Sequence, residues 1–381
     1  MADGAGRPLR ILHLPVDLGG HARALAAAQR RLGHDAVSVS LEHSPLGFNG
    51  DVCLGLPHGS RGRLARREWG RLRLFWRSLA WADVIHCHFG RTLASLRAVP
   101  LPDPSRHGLV ERLTVGVARM LWLQDLRAWH RLGKRVAMTF YGDDIRPVDL
   151  ALRRNPWTHL AEPTLRARLE PRDAAKARLA AALARHGVAI FATNPDLLAA
   201  LPEGATFLPY AHVEPARHAL RPPAAEGPLR LLHMPTDRAV KGTALFEEAV
   251  RRLRDAGARM DLTILEGRPN AEALAAIAAH DVLLDQLHVG WFGGVAVEAM
   301  AMGKPVVAYI NPRDEALVPP AYRAALPVLR ADPADVMAAL ARLVAMPRAA
   351  LRDAGARGRS FVETWHDPDT IARQVLEAYR R

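Results

Sequence analysis

Short apolar segments alternate with helical patterns along most of the 381-residue chain. In the first half, apolar runs of strand length occupy residues 36–41, 82–89, 134–140, 188–193 and 205–208. Between these runs, apolar positions recur at helical spacing, as in residues 21–32 and 173–185, and Asp173 is of a residue type that often caps a helix. This alternation of strand and helix predicts an α/β fold with a parallel, doubly wound sheet.

The same ten-residue pattern opens each half of the chain. Residues 8–17 read PLRILHLPVD and residues 228–237 read PLRLLHMPTD, so that seven of the ten positions are identical. In both copies an apolar run ends at a proline and is followed by a helical pattern and a second apolar run, as in the first βαβ unit of a parallel sheet. Two opening strands can resemble each other by chance, but the shared His and Pro favour a repeated unit. The chain is therefore predicted to contain two Rossmann-like halves.

A change of composition marks the boundary between the halves. Residues 214–228 contain four prolines and are predicted to be a linker. This places an N-terminal domain at residues 1–213 and a C-terminal domain at residues 229–366. A last helical pattern, at residues 367–381, is predicted to pack back on the N-terminal domain.

Residues 290–310, GWFGGVAVEAMAMGKPVVAYI, form the most informative stretch of the second half. Gly293 and Gly294 open a short predicted helix, and an apolar strand follows it. A glycine turn at the start of a helix exposes backbone N–H groups that favour a phosphate. Glu298 lies one turn further along and would suit the diol of a ribose, since a buried carboxylate needs a polar partner. The alternative is an ordinary strand–helix connection with a partly exposed glutamate.

Arg238 and Lys241 stand three residues apart in a predicted loop after the repeated strand, and Gly242 follows them. Two cations at the start of a helix can neutralise a diphosphate and stabilise it as a leaving group. The alternative is an exposed loop with two solvated charges. Together with the glycine turn before Glu298, the two cations favour a site for a nucleoside diphosphate.

The net charge indicates the class of partner, and the cysteine content indicates the cellular compartment. Lys and Arg number 52 and Asp and Glu 39, which gives a net charge of +13 and favours anionic partners such as phosphates, nucleic acid or an acidic membrane. The two cysteines, Cys53 and Cys87, predict no disulfide framework and agree with a reducing compartment. Because the sequence has no apolar leader and no run of about 18 apolar residues, a cytoplasmic location is expected.

A basic stretch begins at Arg61 and ends at Arg77, with seven arginines and one glutamate. Its leucines and aromatic residues recur at near-helical spacing. One interpretation is an amphipathic helix in peripheral contact with an anionic membrane. The other is an ordinary packed helix with a solvated arginine face, because its apolar residues are only enough to pack on a sheet.

The motifs in this order resemble those of the GT-B-fold glycosyltransferases of family 4, the glycosyl transferases of group 1. The resemblance covers nearly the whole chain and rests on Leu18-Gly19-Gly20, DVIHCHFG at 83–90, TFYGDD at 139–144, HMPTDRAVKGT at 233–243 and DQLHVGWFGGVAVEAMAMGKPVV at 285–307. It implies two Rossmann-like domains that face a central cleft. It also implies retaining transfer of a sugar from a UDP- or GDP-linked donor to a hydroxyl of a glycan, a lipid-linked or a small-molecule acceptor, without a metal for donor binding.

The same resemblance implies roles for individual residues. Arg238 and Lys241 match the cations that hold the donor diphosphate, and Glu298 matches the glutamate that binds the ribose. The other positions on the donor side are Gly19 and Gly20 near the phosphates, Glu266, Gly267 and Arg268 near the nucleobase, and Trp291, Phe292, Gly293, Gly294 and Val295 in the donor wall.

Two positions depart from the family pattern. A glutamate that contacts the donor hexose is usual eight residues before the ribose-binding glutamate, and Gly290 stands there. The strand-end motif usually has His before Gly, whereas this chain has Tyr141, a poor base at neutral pH. Asp144 is then the candidate to orient or deprotonate the acceptor, and the alternative is a structural aspartate that caps its own loop. Further candidates on the acceptor side are His21, His88 and Asp143.

Three other functions stay open at the level of sequence. Gly290 suggests a protein that binds a nucleotide sugar without catalysis and acts as a partner or regulator. A nicotinamide dehydrogenase would need Gly-x-Gly-x-x-Gly after the first strand, where only Gly19 and Gly20 are found. A nucleic-acid-binding protein is suggested by the net charge alone, and no specific nucleic acid partner is expected.

Overall fold

The computed structural model describes residues 7–44, 47–55, 61–94 and 121–380, with only the backbone of residues 61–68. This part of the chain contains two parallel sheets, one in each half. Each sheet has an apolar cluster on both faces, which explains why its strands read as nearly continuous apolar runs.

The N-terminal sheet has seven described strands in the order β3-β2-β1-β4-β5-β6-β7, and every neighbouring pair is parallel. The strands are β1 (Arg10–Leu14), β2 (Asp35–Ser40), β3 (Val52–Cys53), β4 (Val84–His88), β5 (Arg135–Phe140), β6 (Ala189–Ala192) and β7 (Thr206–Phe207). The strand order reverses between β1 and β4. Such a reversal opens a crevice at the carboxyl ends of the strands, where sheets of this class bind ligands.

The described helices of this half are α1 (His21–Arg31), α2 (Arg61–Trp81), α3 (Gln124–Arg131), α4 (Val148–Arg154), α5 (Pro163–Leu169) and α6 (Asp173–Arg185). The expectation that Asp173 caps α6 is wrong, because Arg172 occupies the N-cap position. The Asp173 carboxylate instead accepts hydrogen bonds from the backbone N–H of Val148 and from Lys176 Nζ. It therefore ties α6 to the start of α4.

The C-terminal sheet has five described strands in the order β12-β11-β10-β8-β9, again with parallel neighbours. The strands are β8 (Leu229–His233), β9 (Met260–Ile264), β10 (Val282–Leu284), β11 (Val306–Ala308) and β12 (Leu329–Arg330). The prediction of two doubly wound parallel sheets is confirmed. The repeated segments 8–17 and 228–237 contain β1 and β8, and each lies where the strand order of its sheet reverses.

The helices after β8 are α7 (Arg238–Lys241), α8 (Thr243–Asp255), α9 (Asn270–Ala279), α10 (Gly294–Ala301), α11 (Pro312–Glu315), α12 (Pro320–Ala325), α13 (Val336–Ala345), α14 (Arg348–Trp365) and α15 (Pro368–Arg380). Residues 238–241 were expected in a loop, and the structure has one helical turn there. Asp237 caps that turn through the backbone N–H groups of Ala239 and Val240, and Gly242 ends it in a left-handed conformation with φ of 71°.

The last helix, α15, packs on the N-terminal sheet. Its residues Ile371, Val375 and Tyr379 share an apolar cluster with Ile11 of β1 and Leu25 of α1. The chain therefore passes between the halves twice, once after β7 and once between α14 and α15. The two passages touch, since Nδ1 of His366 lies 2.9 Å from the carbonyl oxygen of Tyr210. In the part of the chain that the structure describes, none of the helices has the length and apolar character needed to cross a membrane.

Candidate functional site

A cleft of about 460 Å³ lies where the carboxyl ends of the two sheets face each other. Its N-terminal side is formed by loops that follow β1, β5 and β6, and its C-terminal side by loops that follow β8, β9 and β10, together with the start of α10. The predicted site residues that line it are Gly19, His21, Tyr141, Asp143, Lys241, Gly267, Arg268, Gly293, Gly294, Val295 and Glu298. Ligand binding at this edge is the general behaviour of such sheets.

The start of α10 forms the C-terminal wall of the cleft, and its two glycines permit a close approach. A Cβ atom on Gly293 would lie 3.1 Å from Nζ of Lys241, and one on Gly294 would lie 3.2 Å from Cε1 of His212. Gly293 donates its backbone N–H to Oδ2 of Asp285 at 2.6 Å. The first turn of the helix therefore presents backbone rather than side chains to the cleft.

Glu298 lies one turn into α10 and is only 7% exposed. Asn270 Nδ2 donates to its Oε1 at 2.8 Å, and His212 Nε2 lies 3.9 Å from the same oxygen. Burial raises the pKa of Glu298 to about 7, against the opposing effect of the Asn270 hydrogen bond. Burial also lowers the pKa of His212 to about 4, so this histidine is neutral and does not offset the charge. The carboxylate therefore has spare capacity to accept hydrogen bonds from a ligand.

Lys241 forms a buried ion pair at the start of α10. Its Nζ lies 2.6 Å from Oδ1 of Asp285, with side-chain exposures of 8% and 0%. The second oxygen of Asp285 is taken by the Gly293 N–H. Asp285 thus holds the ammonium group against the first turn of α10, where the helix dipole favours an anion.

Arg238 and Glu266, both predicted on the donor side, lie outside the cleft. Arg238 is about half exposed and pairs with Glu247 and Glu266 on the outer side of α7. The Glu266 carboxylate is engaged in the same pair, so that Gly267 and Arg268 form the wall without it. The cause is that short α7 directs its first side chain to solvent and its last, Lys241, into the cleft.

The prediction that Trp291 and Phe292 lie on the donor surface is wrong in this structure. Their side chains are 1% and 0% exposed and belong to the apolar core behind the wall. Trp291 packs edge-on against Phe207, with ring centroids 6.1 Å apart. Gly290 lies behind the wall as well. Its φ is +87°, and a Cβ there would lie 2.9 Å from Cβ of Asn311, so no side chain fits at this position.

Asp144, the preferred candidate for a base, is half-buried and fixes the conformation of its own loop. Its two carboxylate oxygens accept the backbone N–H groups of Tyr141 and Gly142. Burial raises the pKa of Asp144 to about 6, although these hydrogen bonds oppose the rise. The residue lies behind the cleft surface, and its oxygens are already occupied, so the loop position that reaches the cleft is Asp143.

Asp143 lies in the cleft within a charged cluster that the sequence did not reveal. Arg146 Nη1 and His159 Nε2 both contact its carboxylate, the latter at 3.0 Å. Burial alone would raise the pKa of Asp143, but the Arg146 charge and the His159 contact outweigh it and hold the pKa below its usual range. Arg146 is shared with Asp196. Asp143 is therefore a fixed carboxylate and a poor proton acceptor near neutral pH.

Beneath the N-terminal side of the cleft lies a buried hydrogen-bond network. Tyr141 Oη is 2.7 Å from His88 Nδ1, His88 Nε2 is 2.9 Å from His13 Nδ1, and His13 Nε2 is 2.8 Å from Gln29 Oε1. A second branch runs from Gln29 through Tyr379 to His86 and Thr139. His88 was predicted to be an acceptor-side residue at the cleft surface. The structure instead places it beneath the surface, where it is hydrogen-bonded to Tyr141.

Three histidines of this network, His13, His86 and His88, place ring nitrogens within 4.8 Å of one another, a spacing that a metal ion could use. Every ring nitrogen of the three is already hydrogen-bonded to protein. Burial lowers the pKa of all three, so the network is neutral. Its geometry is that of a satisfied polar core which fixes the Tyr141 hydroxyl.

Sequence reasoning missed four residues that shape the cleft: Asn270, His212, Arg146 and His159. Each reaches the cleft from an element without a recognisable motif. His212 comes from the passage that leaves β7, and Asn270 opens α9. Only the three-dimensional arrangement brings these two side chains to Glu298.

No protein-family model matches the sequence, and no curated protein matches it either. Solved structures do match over nearly the full chain. Sucrose-phosphate synthase from Thermosynechococcus elongatus is 16% identical with a TM-score of 0.60, over 97% of this chain and 98% of that chain. The catalytic domain of starch synthase IV from Arabidopsis thaliana, bound to ADP and acarbose, is 12% identical with a TM-score of 0.55, over 98% and 99%. Anabaena HepE in complex with UDP-glucose is 14% identical with a TM-score of 0.53, over 97% and 98%.

At these identities the likeness concerns the fold. The chain has the GT-B glycosyltransferase fold, in which two Rossmann-like halves face a cleft, and the predicted fold class is confirmed.

Proposed function

We propose that this protein is a retaining glycosyltransferase that moves a sugar from a UDP- or GDP-linked donor to a hydroxyl of a glycan, a lipid-linked or a small-molecule acceptor. The observation that carries the proposal is Glu298, a buried carboxylate with unused hydrogen-bonding capacity in the wall of the cleft. A ribose diol supplies two O–H donors and satisfies it, which repays the cost of keeping the charge buried. The UDP-glucose in HepE and the ADP in starch synthase IV support a nucleotide-linked donor in this fold.

The diphosphate of the donor belongs at the first turn of α10, beside Lys241. The backbone N–H groups of Gly294 and Val295 and the Lys241 ammonium all favour an anion there. Asp285 holds Lys241 in place through the buried ion pair. Charge developing on the departing diphosphate is stabilised by the same groups, so they lower the barrier as well as bind.

Arg238 joins this site only after a change of partner. It is exposed, and its pairs with Glu247 and Glu266 contribute little because water screens them. A bound diphosphate offers a doubly charged partner in exchange. Rotation of the Arg238 side chain toward the phosphate would also free Glu266 to approach the nucleobase side, as the family resemblance implies.

Retention follows if the acceptor attacks from the face that the diphosphate leaves. The bond from C1 to the diphosphate oxygen breaks, the acceptor oxygen bonds to C1, and the acceptor proton passes to the departing phosphate oxygen. No protein base is needed for this step, which agrees with the occupied oxygens of Asp144 and the low proton affinity of Asp143. Asp143, held by Arg146, would support the positive charge that develops at C1.

Calorimetry with UDP and GDP tests the donor site. We expect Glu298→Ala to weaken binding of the preferred nucleotide at least tenfold, because the ribose loses a charged acceptor. Glu363→Ala, on the exposed face of α14, is the matched control and should bind as the wild type does. Equal affinity of wild type and Glu298→Ala would overturn the assignment of the ribose site.

A nucleotide-sugar-binding protein without catalysis is the second candidate function, and Gly290 favours it. The position where the family usually carries a hexose-binding glutamate has no room for a side chain. Turnover of a panel of UDP-, GDP- and TDP-sugars, with and without acceptors, discriminates the two. For an enzyme, Lys241→Ala should lower turnover by about two orders of magnitude or more. Tight binding by the wild type without any turnover would establish the regulator instead.

Helix α2 supports peripheral contact with an anionic membrane as part of this function. Leu74 packs in the core of the N-terminal half, whereas Trp69 and Trp76 on another face are 68% and 61% exposed, with Arg73 and Arg77 beside them. The side chains of residues 61–68 lie outside the described part. Sedimentation with vesicles tests this surface: the protein should pellet with phosphatidylglycerol but not with phosphatidylcholine, and Trp69→Ala/Trp76→Ala should reduce the pelleted fraction. Equal sedimentation with both lipids would remove the proposal.

A further inference from the structure

We propose that His21 and Tyr141 form a subsite for one substrate hydroxyl on the N-terminal side of the cleft, with His21 Nε2–H as donor and Tyr141 Oη as acceptor. This inference rests on the proposed function and specifies which group of the sugar or of the acceptor the N-terminal half recognises. Both residues line the cleft, and they come from loops that follow different strands, β1 and β5.

The hydrogen-bond polarity of His21 is fixed by one backbone contact. The N–H of Ala211 lies 3.1 Å from Nδ1 of His21, and a backbone N–H can only donate. Nδ1 is therefore the acceptor, and Nε2 carries the proton. Burial lowers the pKa of His21 to about 3, so the ring keeps this neutral tautomer at all physiological pH values.

Nε2 of His21 is a buried donor that has no hydrogen-bond partner among the described residues. Leaving such a group without a partner costs free energy, because its lost hydration is not replaced. The ring is 1% exposed and stands at the first residue of α1, after the left-handed Gly20. A ligand oxygen in the cleft would satisfy the donor.

The polarity of Tyr141 follows from the network beneath it. With Oε1 of Gln29 facing His13, His13 donates from Nε2, and its Nδ1 accepts from His88 Nε2. His88 Nδ1 is then an acceptor, and the Tyr141 hydroxyl donates its proton inward at 2.7 Å. The free lone pair of Tyr141 Oη is left to accept a hydrogen bond from the cleft.

The two groups stand side by side and complement each other. The rings of His21 and Tyr141 meet edge to face, with centroids 5.4 Å apart. A hydroxyl both accepts and donates, so it satisfies both residues at once. A phosphate or carboxylate oxygen only accepts and would face the Tyr141 lone pair, and an ammonium group only donates. The pair therefore selects a neutral hydroxyl, and the diphosphate belongs to the opposite wall.

Two substitutions of His21 separate the subsite from a purely structural role. His21→Asn keeps an acceptor for the Ala211 N–H and removes the Nε2–H donor. His21→Gln retains a donor at the reach of Nε2 and gives up the Ala211 contact. We expect His21→Asn to keep the thermal midpoint of the wild type but to lose about tenfold in kcat/KM, and His21→Gln to lose thermal stability but less activity. The reverse order would overturn the inference.

Binding measurements show which group His21 contacts. The probes are UDP and UDP-glucose, or GDP and GDP-mannose where the wild type prefers guanosine. His21→Asn should bind the free diphosphate as the wild type does. Its deficit should be seen with the nucleotide sugar, or only in transfer to an acceptor. An equal loss of affinity for the free diphosphate would place His21 on the phosphate and sink the proposal. Absence of all nucleotide binding by the wild type would instead refute the proposed function.

Discussion

The Nζ atom of Lys241 lies 2.6 Å from Oδ1 of Asp285, and the same carboxylate holds the first backbone N–H of the α10 wall at 2.6 Å. One buried aspartate thus fixes both the cation and the helix start that together suit a diphosphate. The charges of Lys241 and Asp285 balance each other in the empty cleft. If the charge of Asp285 were removed by substitution, a bound diphosphate could replace it as the counter-charge of Lys241.

We expect Asp285→Asn to destabilise the empty protein by about 3–5 kcal/mol, because it leaves a buried ammonium group without its counter-charge. Saturating nucleoside diphosphate should restore part of this loss, since its phosphates replace the missing charge. The measurement is the thermal midpoint with and without the preferred nucleotide. The matched control is Asp281→Asn, which disrupts another buried aspartate, paired with Arg230. A nucleotide-induced shift no larger in Asp285→Asn than in Asp281→Asn would contradict the prediction.

Glu298 should make the stability of the empty protein depend on pH. Its pKa is about 7 in the folded state against 4.5 in the unfolded chain, so the folded state binds an extra proton between these values. Stability relative to Glu298→Gln is therefore greatest below pH 4.5 and falls by about 3 kcal/mol as the pH rises through 7. Chemical denaturation of the wild type and Glu298→Gln at pH 5 and pH 8 checks this. A difference in stability between the two proteins that does not change with pH would refute the cause.

Nucleotide affinity should follow the opposite pH dependence. The ribose diol binds the ionised carboxylate, so the affinity of the wild type should decrease as the pH falls below about 7. Glu298→Gln should bind more weakly and without this slope. Calorimetry between pH 5.5 and 8.5 would show it; parallel curves for both proteins would place the titrating group elsewhere.

Gly290→Ala should lower the free energy of unfolding for two reasons, the left-handed backbone and the contact with Asn311, and a control variant separates them. Gly257 has a φ of +91° with open space around its missing Cβ, so Gly257→Ala should cost about 1 kcal/mol for the left-handed backbone alone. Gly290→Ala adds the approach to Asn311 and should cost about 1–3 kcal/mol more. Similar free energies of unfolding for the two variants would mean that the surroundings of Gly290 yield easily.

Tyr379→Phe should lower the free energy of unfolding by about 1–3 kcal/mol, because Nδ1 of buried His86 loses its partner at 2.6 Å. Tyr309→Phe is a suitable control, as the described residues include no hydrogen-bond partner for that hydroxyl. Urea denaturation of both variants gives the comparison. An equally small effect of the two changes would show that water or rearrangement replaces the lost hydrogen bond.

The sheets and most helix positions could be predicted because their signals are local. Apolar runs and helical spacing located β1, β5 and α6 to within a few residues, and the repeated decapeptide located the first strand of each half. The sequence signal for the start of the α10 wall was also local. It consists of Gly293 and Gly294, which permit the close approach of Lys241 and His212 that the structure shows.

Side-chain direction within the site could not be predicted in the same way. Helix α10 is apolar and largely buried, so its periodicity did not tell that Trp291 and Phe292, just before it, face the core while Glu298 faces the cleft. The outward direction of Arg238 depends on Glu247 and Glu266, which come from two other segments. Contacts between distant segments decide such cases, and no local pattern encodes them.

The two passages of the chain between the halves, after β7 and between α14 and α15, lie side by side at one edge of the cleft. Because His366 and Tyr210 join the two passages by a hydrogen bond, the halves are tethered side by side along one edge. A rotation that widened the cleft about this edge would also have to break the ion pair between Arg154 and Asp314, whose charged atoms lie 2.6 Å apart. The halves are therefore held together both at this edge and between α4 and α11.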